Sequence, residues 1–119
     1  MIATSLVTNN YVGMASPTRD LIPEDTRRQM RPEAIGQRLT LLREAVGKKP
    51  AEMADMLDIE RTYWSRFEGG KRKLSDEVAV LLVERFGVTL DFLYLGRWDK
   101  LPLDLSEKLR SSGSDLSPK

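Results

Sequence analysis

Between Pro32 and Leu95 the apolar residues recur in short, regularly interrupted stripes. Ile35, Leu39, Leu42 and Val46 are spaced by four, three and four residues, which places them on one face of a helix. Pro32 suits the first turn of that helix and Gly47 its end, so the pattern predicts a helix over 32–46. Pro50 opens a second helix of about two turns, with Met53, Ala54 and Leu57 on its inner face. A third begins at Glu60 or Arg61 and ends at Glu68, before Gly69 and Gly70; Tyr63, Trp64 and Phe67 are its bulky members. Ser75 is a good N-cap for a fourth helix, and Asp76 and Glu77 complement the dipole of its first turn. Val78, Leu81, Leu82 and Phe86 form its stripe and Gly87 closes it. Thr89 caps a short fifth helix over 90–95, ended by Gly96.

The flanks carry weaker patterns. Residues 1–31 have no helical period and contain Pro17 and Pro23, so they read as a flexible N-terminal arm. Arg27, Arg28 and Arg31 make its end basic, as a soluble linker or an arm along a minor groove would be. After the fifth helix come Trp98, Leu101, Leu103, Leu105 and Leu109, the last three within or beside a weak helix near 104–110. Residues 111–119 are Ser-rich and read as a disordered tail. The expected organisation is an arm at 1–31, an all-α domain at 32–97, a short helical extension at 98–110 and a tail at 111–119.

Composition narrows the chemistry. A chain of 119 residues supports one small domain. It has no Cys, which excludes disulfides, thiol nucleophiles and Cys-based zinc sites. It has no His, which removes imidazole bases and His-metal sites. No cofactor and no catalysis are implied. No stretch approaches ~18 uninterrupted apolar residues, so no membrane partner is expected. The N-terminus lacks the basic start of a signal peptide, which leaves the cytoplasm as the expected compartment. The net charge is +1, but residues 60–73 hold Arg61, Arg66, Lys71, Arg72 and Lys73 against Glu60 and Glu68, a local +3.

That local charge surrounds a particular geometry. Two helices joined by a tight turn can set the second into the DNA major groove, which is about 12 Å wide and admits one helix. Such a helix must be packed on one side and polar on the other. In the third predicted helix Trp64 and Phe67 point one way, while Arg61, Thr62, Ser65 and Arg66 project from the rest. Arg can bond O6 and N7 of guanine together, and Ser and Thr accept several partners.

The ordered set of segments resembles the Cro and phage-repressor-like helix-turn-helix family (the XRE family) over residues 35–96. Gly36-Gln37-Arg38-Leu39 through Leu42-Arg43 is similar to its first helix. Met53-Ala54 through Leu57, with Ile59, is similar to its second helix and turn. Trp64-Ser65-Arg66-Phe67-Glu68 with Gly70-Lys71-Arg72 is similar to its reader helix and exit loop. Phe86-Gly87-Val88-Thr89-Leu90-Asp91 through Leu95-Gly96 is similar to its last two helices.

The resemblance implies a five-helix, lambda-repressor-like DNA-binding domain that regulates transcription by occupying an operator. It implies base-reading roles for Arg61, Thr62, Ser65 and Arg66. Phosphate contacts would come from the amides and side chains of Gly70, Lys71, Arg72 and Lys73, and Glu68 would be structural. Four positions depart from the family pattern. Lys49 and Pro50 replace a helix cap and a phosphate-binding Gln, so Lys48 or Lys49 would substitute as point charges. Asp58 stands at a turn position usually held by Gly, and Asp tolerates the left-handed conformation better than most residues. Gly69 replaces a common Asn.

Two partner questions follow. Trp98, Leu101, Leu103, Leu105 and Leu109 would pack on the domain itself, form a homodimer surface or receive another protein. The dimer is preferred, because two copies on two half-sites extend a small footprint. Asp55, with Glu52 nearby, lies where acidic residues of relatives touch RNA polymerase, although a solvated helix face is the simpler reading. The alternative function is a protein-interaction adaptor or antitoxin-like module on the same fold.

Overall fold

The computed structural model describes residues 17–113, and within them the chain is all-helical. The order is α1 (Pro17–Leu21), α2 (Glu24–Gln29), α3 (Pro32–Ala45), α4 (Pro50–Met56), α5 (Arg61–Glu68), α6 (Asp76–Phe86), α7 (Leu90–Leu95) and α8 (Leu103–Ser112). The boundaries from α3 to α7 follow the local signals in the sequence. Ser75 Oγ accepts from the Val78 amide at 3.4 Å and Thr89 Oγ1 from the Phe92 amide at 3.0 Å, so each cap satisfies a donor that its helix leaves open. Gly87 and Gly96 end α6 and α7 in the left-handed conformation, at φ 77° and 72°. Asp58 takes the same conformation, φ 55°, in the turn between α4 and α5, as expected of an Asp in place of Gly.

Helix α3 is the centre of the fold and packs against α2, α5, α7 and α8. Its inner residues Ile35, Leu39 and Leu42 meet Met53, Trp64, Leu82, Phe92 and Leu93 in one core. Leu41, off the predicted stripe, is buried as well, because α8 covers a second face of α3. Gly36 sets the crossing of α3 and α5. A Cβ there would lie 2.3 Å from the Glu68 carbonyl oxygen and 2.6 Å from that of Phe67, so only Gly allows this approach.

Both flanks differ from the sequence reading. Residues 17–29, expected as flexible arm, form α1 and α2; the first 16 residues of that arm lie outside the described residues. Helix α2 lacks an apolar period because it buries nothing. It is held by polar bonds instead. The buried Arg38 of α3 donates to the Gln29 carbonyl oxygen and, at 3.0 Å, to Gln29 Oε1, while its Nε donates to the Leu93 carbonyl oxygen at 3.1 Å. Burial pushes the Arg38 guanidinium down to about 10, which leaves it a cation at neutral pH. Gly96 admits this cluster, since a Cβ there would stand 3.0 Å from Arg38 Nη1.

The second correction concerns the preferred dimer surface. Trp98, Leu105 and Leu109 are buried in the chain's own core, Leu101 packs partly against it, and only Leu103 is strongly exposed, at 71 %. Phe92 and Trp98 meet edge to face, ring centroids 5.6 Å apart, and Arg110 lies over the Trp98 ring. Helix α8 runs through Ser112, so the predicted tail begins at least two residues too early; 114–119 lie outside the described residues.

Candidate nucleic-acid interface

Helices α4 and α5 form the helix pair that the sequence predicts. Met53, Ala54 and Leu57 of the first interlock with Trp64 and Phe67 of the second. The turn between them closes with the Ile59 amide donating to the Ala54 carbonyl at 3.1 Å. Pro50 begins α4 without an amide hydrogen to lose. The Glu52 carboxylate accepts from the Lys49 amide at 2.8 Å, which is half of a capping box, since Lys offers no acceptor to complete it.

The inner side of α5 is fixed twice. Trp64 and Phe67 are buried, Trp64 completely. Glu68 then ties the helix end to α3. Its carboxylate accepts from Trp64 Nε1, from Thr40 Oγ1 at 3.0 Å and from Arg43 Nε at 2.6 Å, and Arg43 Nη1 reaches on to the Lys48 carbonyl at 2.9 Å. The Arg43–Glu68 pair is largely shielded, its side chains 13 % and 14 % exposed. Removing one member of such a pair leaves the other charge stranded. Glu68 is therefore structural, as the resemblance implies.

The outer side is free of the fold. Arg61, Thr62, Ser65 and Arg66 are all exposed, so the four base-reading candidates share one open face. Arg66 has no side-chain partner among the described residues. Arg61 does have one. Its Nε and Nη2 donate to Asp55 Oδ1 and Oδ2 at 3.2 and 2.9 Å, across the turn. These bonds hold the Asp55 carboxyl below the usual carboxylate range and raise the Arg61 guanidinium above its own. The expectation of a solvated Asp55 differs from this pairing because no helix-spacing rule links positions six apart across a turn.

The phosphate candidates divide. Lys49, Lys71, Arg72 and Lys73 are exposed and Lys48 is half-buried. The amides of Gly70, Lys71 and Arg72 in the exit loop, however, are already engaged. Gly70 donates to the Phe67 carbonyl at 3.2 Å, and Lys71 and Arg72 donate to that of Arg66 at 2.9 and 3.3 Å. Gly70 thus offers no free amide; its role is spatial, since at φ 72° a Cβ would press 2.9 Å from Cα of Glu33. Arg72 stacks 4.6 Å from the centroid of the Tyr63 ring, and Tyr63, unlike the other bulky members Trp64 and Phe67, is 37 % exposed. Lys73 continues the basic run into an open cleft of about 590 Å³ that Arg19, Arg27 and Arg31 also line.

Against known families, a model described as a helix-turn-helix domain matches residues 34–92, from the first turn of α3 into α7. No curated protein and no solved structure matches the chain.

Proposed function

We propose, for a chain whose residues 34–92 form a helix-turn-helix domain, that it is a sequence-specific regulator of transcription acting on double-stranded DNA. Helix α5 enters the major groove, α4 braces it, and Lys71, Lys73 and Lys49 fix the register on phosphate through their side chains. One observation carries this reading: four hydrogen-bonding side chains, Arg61, Thr62, Ser65 and Arg66, stand exposed on a helix whose opposite side is locked by Trp64, Phe67 and Glu68. A polar face on a rigidly held short helix is what base-edge readout requires. The action is occupancy of a promoter or operator, with no chemistry performed, in the cytoplasmic compartment that holds the DNA. Two copies on two half-sites are the expected stoichiometry, meeting through a face other than Trp98, Leu105 and Leu109. The adaptor or antitoxin reading is the less favoured one, because most of the apolar 98–109 extension is covered from within.

Selection from a random duplex library at near-physiological salt tests the reading. The expected result is an enriched palindrome with half-site centres about one helical turn apart. Binding to it should fall steeply with salt, following the number of phosphate contacts. A short asymmetric site would mean one copy per site. Failure of the folded protein to enrich any sequence would overturn the proposal.

A further inference from the structure

We infer that Asp55 is a specificity-determining positioning residue, whose carboxylate holds Arg61 side-on so that the outer edge of the guanidinium meets a guanine. This rests on the DNA reading above and goes beyond it by naming a base and the residue that selects it.

The argument begins with the donors of Arg. A guanidinium carries five N–H groups in one rigid plane. Asp55 takes two of them, the Nε hydrogen through Oδ1 at 3.2 Å and one Nη2 hydrogen through Oδ2 at 2.9 Å. The second Nη2 hydrogen and the two on Nη1 remain. One from each nitrogen lies parallel along the outer edge of the fork. Guanine presents two acceptors side by side in the major groove, N7 and O6, which match that edge. Adenine presents N7 beside an amino donor, so the same edge meets one partner and one repulsion. Held side-on, Arg61 is therefore committed to guanine.

Position supports the same conclusion. Arg61 is the first residue of α5 and Asp55 lies on α4, so the pair bridges the two helices at the turn. The side chains are 67 % and 59 % exposed, which leaves the outer edge reachable. An ion pair this exposed adds little to folding, so its effect belongs to recognition. Without Asp55 the long side chain is released to many rotamers, including those that reach phosphate, which carry no sequence information. Arg66, with no partner among the described residues, is the internal contrast: nothing commits it to one edge.

The test repeats the library selection with the full chain and with Asp55→Asn, Asp55→Ala, Arg61→Lys and the Asp55→Asn/Arg61→Lys double variant, at equal folded fractions read from melting curves. Asn replaces one acceptor oxygen with a donor and so breaks the side-on pair. Guanine preference at one position of the half-site should fall roughly tenfold in both Asp55 variants, within the range of about 5- to 150-fold that one bidentate contact provides. The other positions should keep their preferences. Arg61→Lys should lose the same position, and adding Asp55→Asn to it should change nothing further, because Asp55 acts through Arg61. Unchanged preference at every position in both Asp55 variants would overturn the inference while leaving DNA recognition intact. So would a uniform rise in affinity for all sequences, since Asp55 would then only neutralise a charge. A wild-type protein that enriches no sequence would overturn the DNA reading and this inference with it.

Discussion

Helices α1 and α2, on one flank of the domain, bury no residue, whereas the segment from Trp98 through α8 buries Trp98, Leu105, Ser106 and Leu109. Both flanks end against α3. The C-terminal flank is held there by apolar area removed from water. The N-terminal flank is held by one buried cation, Arg38, whose hydrogen bonds reach Gln29 on one side and Leu93 on the other. A polar anchor of this kind is local. It fixes the end of α2 and leaves α1 attached mainly through weak surface pairs such as Arg27–Asp20, 3.9 Å apart. An apolar anchor makes its segment part of the core.

The comparison is broken most directly at Leu109, which is fully buried. Leu109→Ala should cost about 2–5 kcal/mol, and because ~1 kcal/mol shifts the midpoint of a small domain by roughly 4–8 °C, thermal unfolding by circular dichroism should show a fall of about 10 °C or more. A loss under ~1 kcal/mol would mean that α8 is only laid on the surface. Arg38→Ala comes next. It strands the Leu93 carbonyl and releases Gln29, and a charged hydrogen bond of this type contributes about 1.5–3 kcal/mol. Amide exchange should quicken in α2 more than in α8; equal change in both would show that α2 is not anchored through Arg38. The smallest effect belongs to α1. Deleting residues 1–23 keeps Gln29 and Arg38 together and, of the described residues, removes only 17–23, whose helix α1 buries nothing, so stability should change by ~0–1 kcal/mol in urea unfolding. A larger loss would place α1 within the cooperative unit.

The same contrast explains what could be read from the sequence. The helices from α3 to α7 were legible because their stops are local: Gly47, Gly87 and Gly96 at ends, Ser75 and Thr89 at starts, Asp58 in the turn. Helix α2 is not legible by hydrophobic period because it has none. Its charge pattern, Glu24 and Asp25 in the first turn and Arg27 and Arg28 in the last, was the available cue. The apolar run at 98–109 was visible, but which surface it covers depends on how α8 folds back on α3, which no local pattern encodes. In the candidate interface, the open face of α5 followed from helical spacing. The Asp55–Arg61 pair and the engaged amides of the exit loop did not, since both depend on contacts across a turn.

The carboxylate of Glu68 has a consequence for how such a chain can change over generations. Through Trp64, Thr40 and Arg43 it holds the helix from behind, and Gly36 fixes how closely the helix is seated. Thr62, Ser65 and Arg66 lie on the opposite side and carry none of that load. These three positions can be rewritten by single mutations with little effect on folding, so the chemistry of the exposed face can vary from one descendant to the next while the scaffold is kept. Positions 36, 64 and 68 have no such freedom.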